Sequence, residues 1–466
     1  MKKTTLLFSA ILAVVLISGT VDLNNLLNYS NQPMPDYILK NNEPANNRTT
    51  DAGATLGRVL FYDKNLSINN TIACASCHHQ EFAFGDTAVQ SLGYDGGHTG
   101  RHSMRLANAR FGNENRFFWD ERAASLENQT TQPIRDHIEM GFSGVFGNPT
   151  FDSLLRKLSA IPYYPVLFTA AYGTSDITEL KIQRALAQFV RSIQSFDSKY
   201  DVGRAQVAND GQPFPNFTPQ ENMGKNLFLT PPPNGAGCQG CHRAPEFDID
   251  PGSRNNGVIG VIGDTSIVDL TITRSPSLRN LTRANGTVNT PMMHTGSFRT
   301  LDQVIGHYLQ IPNNPNNTNL DPRLRGPGGV PQNLPFTQAQ RDALAAFLRT
   351  LSGTAVYTDA RWSSPFDSAG NITVIPVTQP TSVGDYTFMA ARIHAYPNPF
   401  VNVLYLNLPE SARSVVVLDA AGKLIYTTEA HSSMQLETTT WIRGIYHIQV
   451  LNAGNELLAY RKVMKN

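Results

Sequence analysis

The sequence predicts a mainly α-helical chain in two lobes, followed by a small all-β sandwich. Three observations predict this. Glu179–Phe196 places Ile182, Leu186, Phe189, Val190 and Ile193 on one helical face, and Ala339–Leu351 repeats the pattern with Leu344, Phe347, Leu348 and Leu351. Each helical region is accompanied by one C-x-x-C-H motif. From Ala395 onward the pattern switches to short alternating stretches, Val403–Leu408, Ser414–Leu418, Lys423–Thr427, Gly444–Val450 and Glu456–Lys462. With 466 residues and 41% hydrophobic content, the chain can bury cores in two or three domains. Its net charge of +1 gives no basic surface for nucleic acid, and no internal run is long enough to span a membrane.

In chain order, Lys2 and Lys3 precede an apolar stretch, Leu6 to Ile17, followed by Ser18 and Gly19. A short apolar run behind a positive start reads as a secretory signal peptide over residues 1–20. The first lobe is expected over 21–200 and the second over 201–355. The Ser-, Thr-, Pro- and Gly-rich stretch inside 356–390 reads as a linker, and 391–466 as the sandwich. Thr218 and Glu221 form a capping-box pattern ahead of a helix Asn222–Leu229, which Pro231–Pro233 stops. Asp419-Ala420-Ala421-Gly422 is a turn between two strands.

All four cysteines fall in Cys74-Ala75-Ser76-Cys77-His78 and Cys238-Gln239-Gly240-Cys241-His242. Two thiols spaced this way form thioethers to the vinyl groups of one haem, and the adjacent histidine reaches the iron. A disulfide reading leaves both histidines unexplained, and a zinc reading requires one site to join distant segments. The motifs therefore predict two covalently bound c-type haems, with His78 and His242 as iron ligands. The fold class becomes two c-type cytochrome-like haem domains, each motif carried on a helix, plus the sandwich.

The runs CASCHH (74–79), FFWDERAASLENQ (117–129), Glu139–Gly141, SPSLRNL (275–281), MMHTG (292–296) and LDQVIGHY (301–308) resemble the bacterial dihaem cytochrome c peroxidases. Their relatives include the methylamine-utilisation dihaem enzyme, and the resemblance spans roughly residues 50–355. It implies a peroxide-reacting haem at the first motif and an electron-relaying haem at the second. Trp119 then matches a tryptophan between the haems, and Gln129 and Glu139 match distal-pocket residues. Glu139 would carry a proton between the two peroxide oxygens, which is general acid–base work. His294 matches a hydrogen-bonding histidine near the second haem.

The resemblance also assigns the sixth ligands. Tyr94 stands where a blocking histidine closes the first iron in some members, which implies an open site, with His98 and His102 as rival ligands. Tyr308 stands where the peroxidases place methionine on the second iron, with His307 as its rival. An anionic oxygen favours oxidised iron and lowers the potential. A calcium ion between the haems is implied at the carbonyls of Asn289 and Pro291. The third, asparagine, position carries His102, a poor partner for a hard cation.

The tail resembles the sorting domain of the type IX secretion system, through Tyr396-Pro397-Asn398-Pro399-Phe400, Val417-Leu418-Asp419, Gly444-Ile445-Tyr446 and the basic end Arg461–Asn466. This implies that secretion machinery is a partner. The chain would pass through the periplasm to the outer-membrane surface or the medium. Three functions compete. The first is a peroxidase that reduces hydrogen peroxide with electrons from a small cytochrome or cupredoxin. The second is an oxidase that reaches high-valent iron to oxidise an organic or protein substrate, and the third is a non-catalytic electron carrier. The resemblance allows a homodimer.

Overall fold

The computed structural model describes residues 19–262, 267, 269–283, 285–377, 394–420, 422–454 and 457–466. The expected signal segment lies outside them apart from Gly19 and Thr20. Contacts divide the chain into two units after Val377.

The first unit holds two helical cores. One is built on helices Asp51–Tyr62 and Glu179–Ser192. Thr50 caps the first by accepting from Gly53 N at 3.0 Å, and Leu56, Val59 and Leu60 fill its buried face. The helices meet closely at Gly57, where a Cβ would lie 2.0 Å from the Ala185 carbonyl oxygen. The other core repeats the device. Helices Pro219–Leu229 and Gln338–Arg349 pack with Gly224 on Ala343, where a Cβ would approach the carbonyl oxygen to 1.8 Å. Both partners in this second core start in capping boxes, Thr218 with Glu221 and Thr337 with Gln340.

Neither haem motif lies on the α-helix expected to carry it. Each forms a single 3₁₀ turn, Cys74–Ser76 and Cys238–Gly240, in which the histidine N–H donates to the first cysteine carbonyl at 3.0 and 2.9 Å. Left-handed Gly237, before the second turn, sets the chain direction there.

A buried Arg279 is held in the second lobe, with its Nη1 2.9 Å from Asp201 and its Nη2 donating to the Pro245 carbonyl at 2.8 Å, and its Nη1 reaches the Ser195 carbonyl of the first lobe at 3.4 Å. Residues 356–377, expected as the start of a linker, instead return to the first core. Val356 and Trp362 are buried in it, Tyr29 and Tyr62 donate their hydroxyls to the Arg361 and Trp362 carbonyls, and Arg58 Nε donates to the Ser363 carbonyl. Strand β1, Thr20–Asp22, then pairs in parallel with β2, Thr373–Ile375. The remainder of the expected linker, 378–390, lies outside the described residues.

The second unit carries β3 (His394–Tyr396), β4 (Val403–Asn407), β5 (Ser414–Asp419), β6 (Leu424–Glu429), β7 (Ser433–Glu437), β8 (Gly444–Leu451) and β9 (Leu457–Lys465). They form one sheet in the order β3-β4-β7 and another in the order β6-β5-β8-β9. Alternating residues supply a shared core, Leu404, Leu406 and Leu436 from the first sheet with Val415, Val417, Ile448 and Val450 from the second. Among the described residues, no helix is long and apolar enough to cross a membrane.

Candidate active site

Two cavities open in the first unit, each lined by one C-x-x-C-H motif. The first, of about 580 Å³, is bordered by Cys74, Cys77, His78, Trp119, Gln129 and Glu139. The second, of about 690 Å³, is bordered by Cys238, Cys241, His242, Met292 and Tyr308. His102–Arg105, Trp119, Ile249, Ser275 and Pro276 line both and so form the wall between them.

The residues fit two c-type haems. Burial pushes the Cys74 and Cys238 thiols up to about 12, an environment that favours uncharged sulfur and suits a thioether. His78 Nδ1 lies 3.0 Å from the Phe84 carbonyl, which can only accept, so Nδ1 carries the proton and Nε2 keeps the lone pair that binds iron. Left-handed Ala83 and Phe84 fold that carbonyl back onto the ring. Burial lowers the His78 pKa, and it lowers that of His242 to about 4, so both rings stay neutral. His242 Nδ1 is buried without a hydrogen-bond partner.

Trp119 is aimed inward by a tight turn. Phe117 bridges Ala123, Phe118 and Glu121 adopt left-handed backbone angles, and Arg122 stacks 3.5 Å over the Phe118 ring. The Trp119 indole N–H donates to the His102 carbonyl at 2.6 Å, and the Trp119 carbonyl accepts from Arg274 N at 2.7 Å. Gln129 sits on the short helix Leu126–Thr130, which Ser125 caps. Glu139 is anchored through its backbone N–H, which donates to Asp136 at 3.1 Å. Burial pushes its carboxyl up to about 7; the Asp136 carboxylate adds to this and Arg122 opposes it.

Tyr94 does not border the first cavity. Its N–H donates to the Glu139 carbonyl at 3.0 Å, and its hydroxyl accepts from Asn148 Nδ2 at 3.0 Å. His98 is also away from the cavity and exposed. His102 lies in the wall, with Nδ1 donating to the Ala88 carbonyl at 2.9 Å.

At the second cavity Tyr308, on helix Leu301–Leu309, is a lining residue and His307 is not. The His307 Nε2–H donates to the Asn256 carbonyl at 2.9 Å instead. Burial raises the Tyr308 pKa. His294, expected beside the second cavity, borders the first. Left-handed Met293 turns the chain so that Met292 and Met293 face the second cavity while His294 lies 6.1 Å, ring to ring, from Trp119. The His294 Nε2 is 3.4 Å from Asp269, which in turn pairs with Arg101. Sequence reasoning missed Arg101, Arg105, Arg122 and Asp269. Arg101 and Arg105 adjoin His102, and that proximity was the available signal.

A family model, di-haem cytochrome c peroxidase, matches residues 51–207, and a secretion system C-terminal sorting domain matches 394–466. The methylamine utilization protein MauG of Methylophilus methylotrophus is 30% identical over 304 residues, covering 64% of this chain and 83% of that protein. Cytochrome c551 peroxidase of Nitrosomonas europaea is 25% identical over 310 residues, covering 64% and 80%. A MauG-like protein associated with microbial copper homeostasis superposes with a TM-score of 0.56 at 28% identity, covering 72% of this chain and 99% of that one. A variant of the diheme peroxidase BthA from Burkholderia thailandensis shares the fold, with a TM-score of 0.51 at 22% identity over 68% and 90%. The chain is an oxidoreductase that carries haem and a secretion sorting domain, and it belongs to the family of dihaem cytochrome c peroxidases and MauG proteins.

Proposed function

We propose that this enzyme reduces hydrogen peroxide to water with electrons from an external one-electron donor. The first haem lobe (21–200) is the reaction site and the second (201–355) the relay. The observation that carries this reading is Trp119, which borders both cavities while Gln129 and Glu139 border the first alone. When bound, the haems supply iron that exchanges electrons with peroxide and donor. The protein's own groups do the rest. His78 and His242 would hold the irons, and Gln129 would orient the peroxide. Glu139 takes the proton from the nearer peroxide oxygen and returns it to the farther one, so that water leaves. Consumption of one peroxide requires two electrons and two protons.

Tyr308 supports a second reading, an oxidase acting on an organic or protein substrate. An oxygen ligand on the second iron lowers its potential and favours its oxidised states. The Asn148 partner of Tyr94 supports an open first site in either reading. Calcium at the Asn289 and Pro291 carbonyls is not part of the proposal. The donor fits the class of small cytochromes or cupredoxins. The sorting domain would deliver the enzyme, through type IX machinery, to the cell surface or medium.

Low-temperature EPR of the ferric, haem-loaded enzyme tests the reading, followed by peroxide mixing with and without a reduced donor. One high-spin and one low-spin haem, with donor-dependent peroxide loss, is expected. Two low-spin haems inert to peroxide would identify an electron carrier. A long-lived oxidised state that decays only with an organic or protein substrate would select the oxidase.

A further inference from the structure

Tyr94 stands outside the first cavity but grips the segment that carries Glu139. The hydrogen bonds that fix Glu139 are made by its backbone. Its N–H donates to Asp136 at 3.1 Å, and its carbonyl accepts from the Tyr94 N–H at 3.0 Å. The carboxyl therefore stands where the backbone puts it. Further along, left-handed Gly141 faces the Tyr94 ring, and a Cβ there would lie 2.8 Å from Tyr94 Cε1 and 2.3 Å from Ile68 Cδ1. The Tyr94 hydroxyl reaches on to Asn148, whose Nδ2 donates to it at 3.0 Å. One residue thus holds the chain at 139, at 141 and at 148.

The loop that carries Tyr94 is seated on the same segment. A Cβ on Gly93 would lie 1.7 Å from the Ile138 carbonyl oxygen, and one on Gly97 would lie 2.9 Å from Ile138 Cγ2. The Gly93 N–H donates to the Gly97 carbonyl at 2.8 Å, Leu92 bridges His98, and Asn69 Nδ2 donates to the Tyr94 carbonyl at 2.7 Å. Asn148 is fixed in turn by its own N–H, which donates to the Val145 carbonyl at 3.0 Å. Glu139 and Met140 border the first cavity, so a shift of their backbone moves the carboxyl relative to a bound reactant. A displacement of about 1 Å at a reacting group can cost about 10²-fold in rate.

We propose that Tyr94 is a positioning residue for Glu139, its ring, hydroxyl and N–H together holding the carboxyl at the first cavity. The inference rests on the proton-carrying role of Glu139 proposed above and adds the residue that places it.

A double-mutant cycle on the haem-loaded full chain tests it. Tyr94→Ala, Glu139→Gln and the double variant are compared with the parent for peroxide kcat/KM across pH, with ferric EPR reporting on the first haem. With Glu139 present, Tyr94→Ala is expected to lower kcat/KM by about 10²-fold. Its pH limb is expected to move below 7, because a carboxyl released to water returns toward its ordinary value. Asp136 and Arg122, the charged groups that act on Glu139, stay in place. In the Glu139→Gln background the same substitution is expected to cost about twofold at most, since two residues acting through one group are not additive. Equal losses in both backgrounds, or none in the first, overturn the proposal, as does a low-spin first haem in Tyr94→Ala. If Tyr94→Ala does not load haem, Tyr94→Phe and Asn148→Ala, which break only the hydroxyl contact, are read through the same cycle. Both are expected to lose rate with Glu139 present and not without it, and no loss from either overturns the proposal. A Glu139→Gln enzyme as fast as the parent refutes the proton transfer itself, whereas a slow one beside silent Tyr94 variants refutes the clamp alone.

Discussion

Trp119 and His102 are joined by a 2.6 Å hydrogen bond from the indole N–H to the backbone carbonyl. The ring that borders both cavities is thereby fixed to the same short segment, His102–Arg105, that forms the rest of the wall. A buried indole N–H without its acceptor costs about 1–3 kcal/mol, so the bond holds the ring against rotation. Trp119→Phe keeps the apolar contact and loses the bond. Haem incorporation is expected to be unchanged while electron transfer between the haems slows. Stopped-flow reduction, followed at each haem band, checks this, and unaltered transfer would remove Trp119 from the path.

In the proposed reaction Glu139 can take up a proton only when ionised. With its pKa raised to about 7, the ionised fraction grows as pH climbs through that value. Peroxide kcat/KM is therefore expected to rise across a limb centred near pH 7. Glu139→Gln is expected to flatten the limb and lower the rate by about 10²–10⁴-fold. The stability sign is opposite. A carboxyl raised in the folded state stabilises most below its unfolded pKa and loses that contribution as pH rises through 7. The glutamine variant should consequently gain thermal midpoint relative to the parent above pH 7, and not in acid.

Tyr308 borders the second cavity and His307 does not. Tyr308→Met is expected to raise the potential of the second haem, and His307→Ala to leave it near the parent value. Spectroelectrochemical titration distinguishes the two haems. The same potential in the parent and the methionine variant would show that Tyr308 is not the axial group.

Asp201 accepts from Arg279, from the Ser198 hydroxyl and N–H, and from Tyr37, all in buried or half-buried surroundings. Asp201→Ala leaves Arg279 charged and buried. A loss of about 3–5 kcal/mol is expected in denaturant unfolding. A loss below about 1 kcal/mol would mean that the guanidinium reorients to water.

The parts of this fold that were legible in the sequence are those specified by neighbours. The Thr218–Glu221 box and the apolar stripe of 179–196 mark their helices because capping and periodicity act within a turn or two. Even so, the second helix ends at Ser192, where the chain turns to give Asn108 its partners Ile193 and Ser195. The strands of the sorting domain were legible from alternation, except the three-residue β3 and β7, whose Ser433–Glu437 is mostly polar and exposed and offers no strong pattern. The repeat of the apolar stripe between the two helical regions was legible too, since ALAQFVRS at 185–192 and ALAAFLRT at 343–350 are nearly the same string. Each supplies the backbone carbonyl on which a glycine of the crossing helix rests. The cysteines and histidines of both motifs and Glu139 were singled out in the sequence by their chemistry, and they border the two cavities. His294 borders the first cavity, and the left-handed backbone of Met293 that turns it there leaves no mark in the residue type. Arg105 and Asp269 were missed because their significance lies in charges brought together from distant segments.

The parallel pairing of Thr20–Asp22 with Thr373–Ile375 fastens the first and last described stretches of the enzyme unit to each other. The clasp is complete before the division after Val377, so a protease cutting between the units would release the oxidoreductase with its seam still closed. A cut a few residues earlier would remove one side of that seam and leave Trp362, with the carbonyls that hold Tyr29, Tyr62 and Arg58, on a loose end. Any trimming of the sorting domain that spares the seam must therefore fall after Ile375, a definite point on the chain.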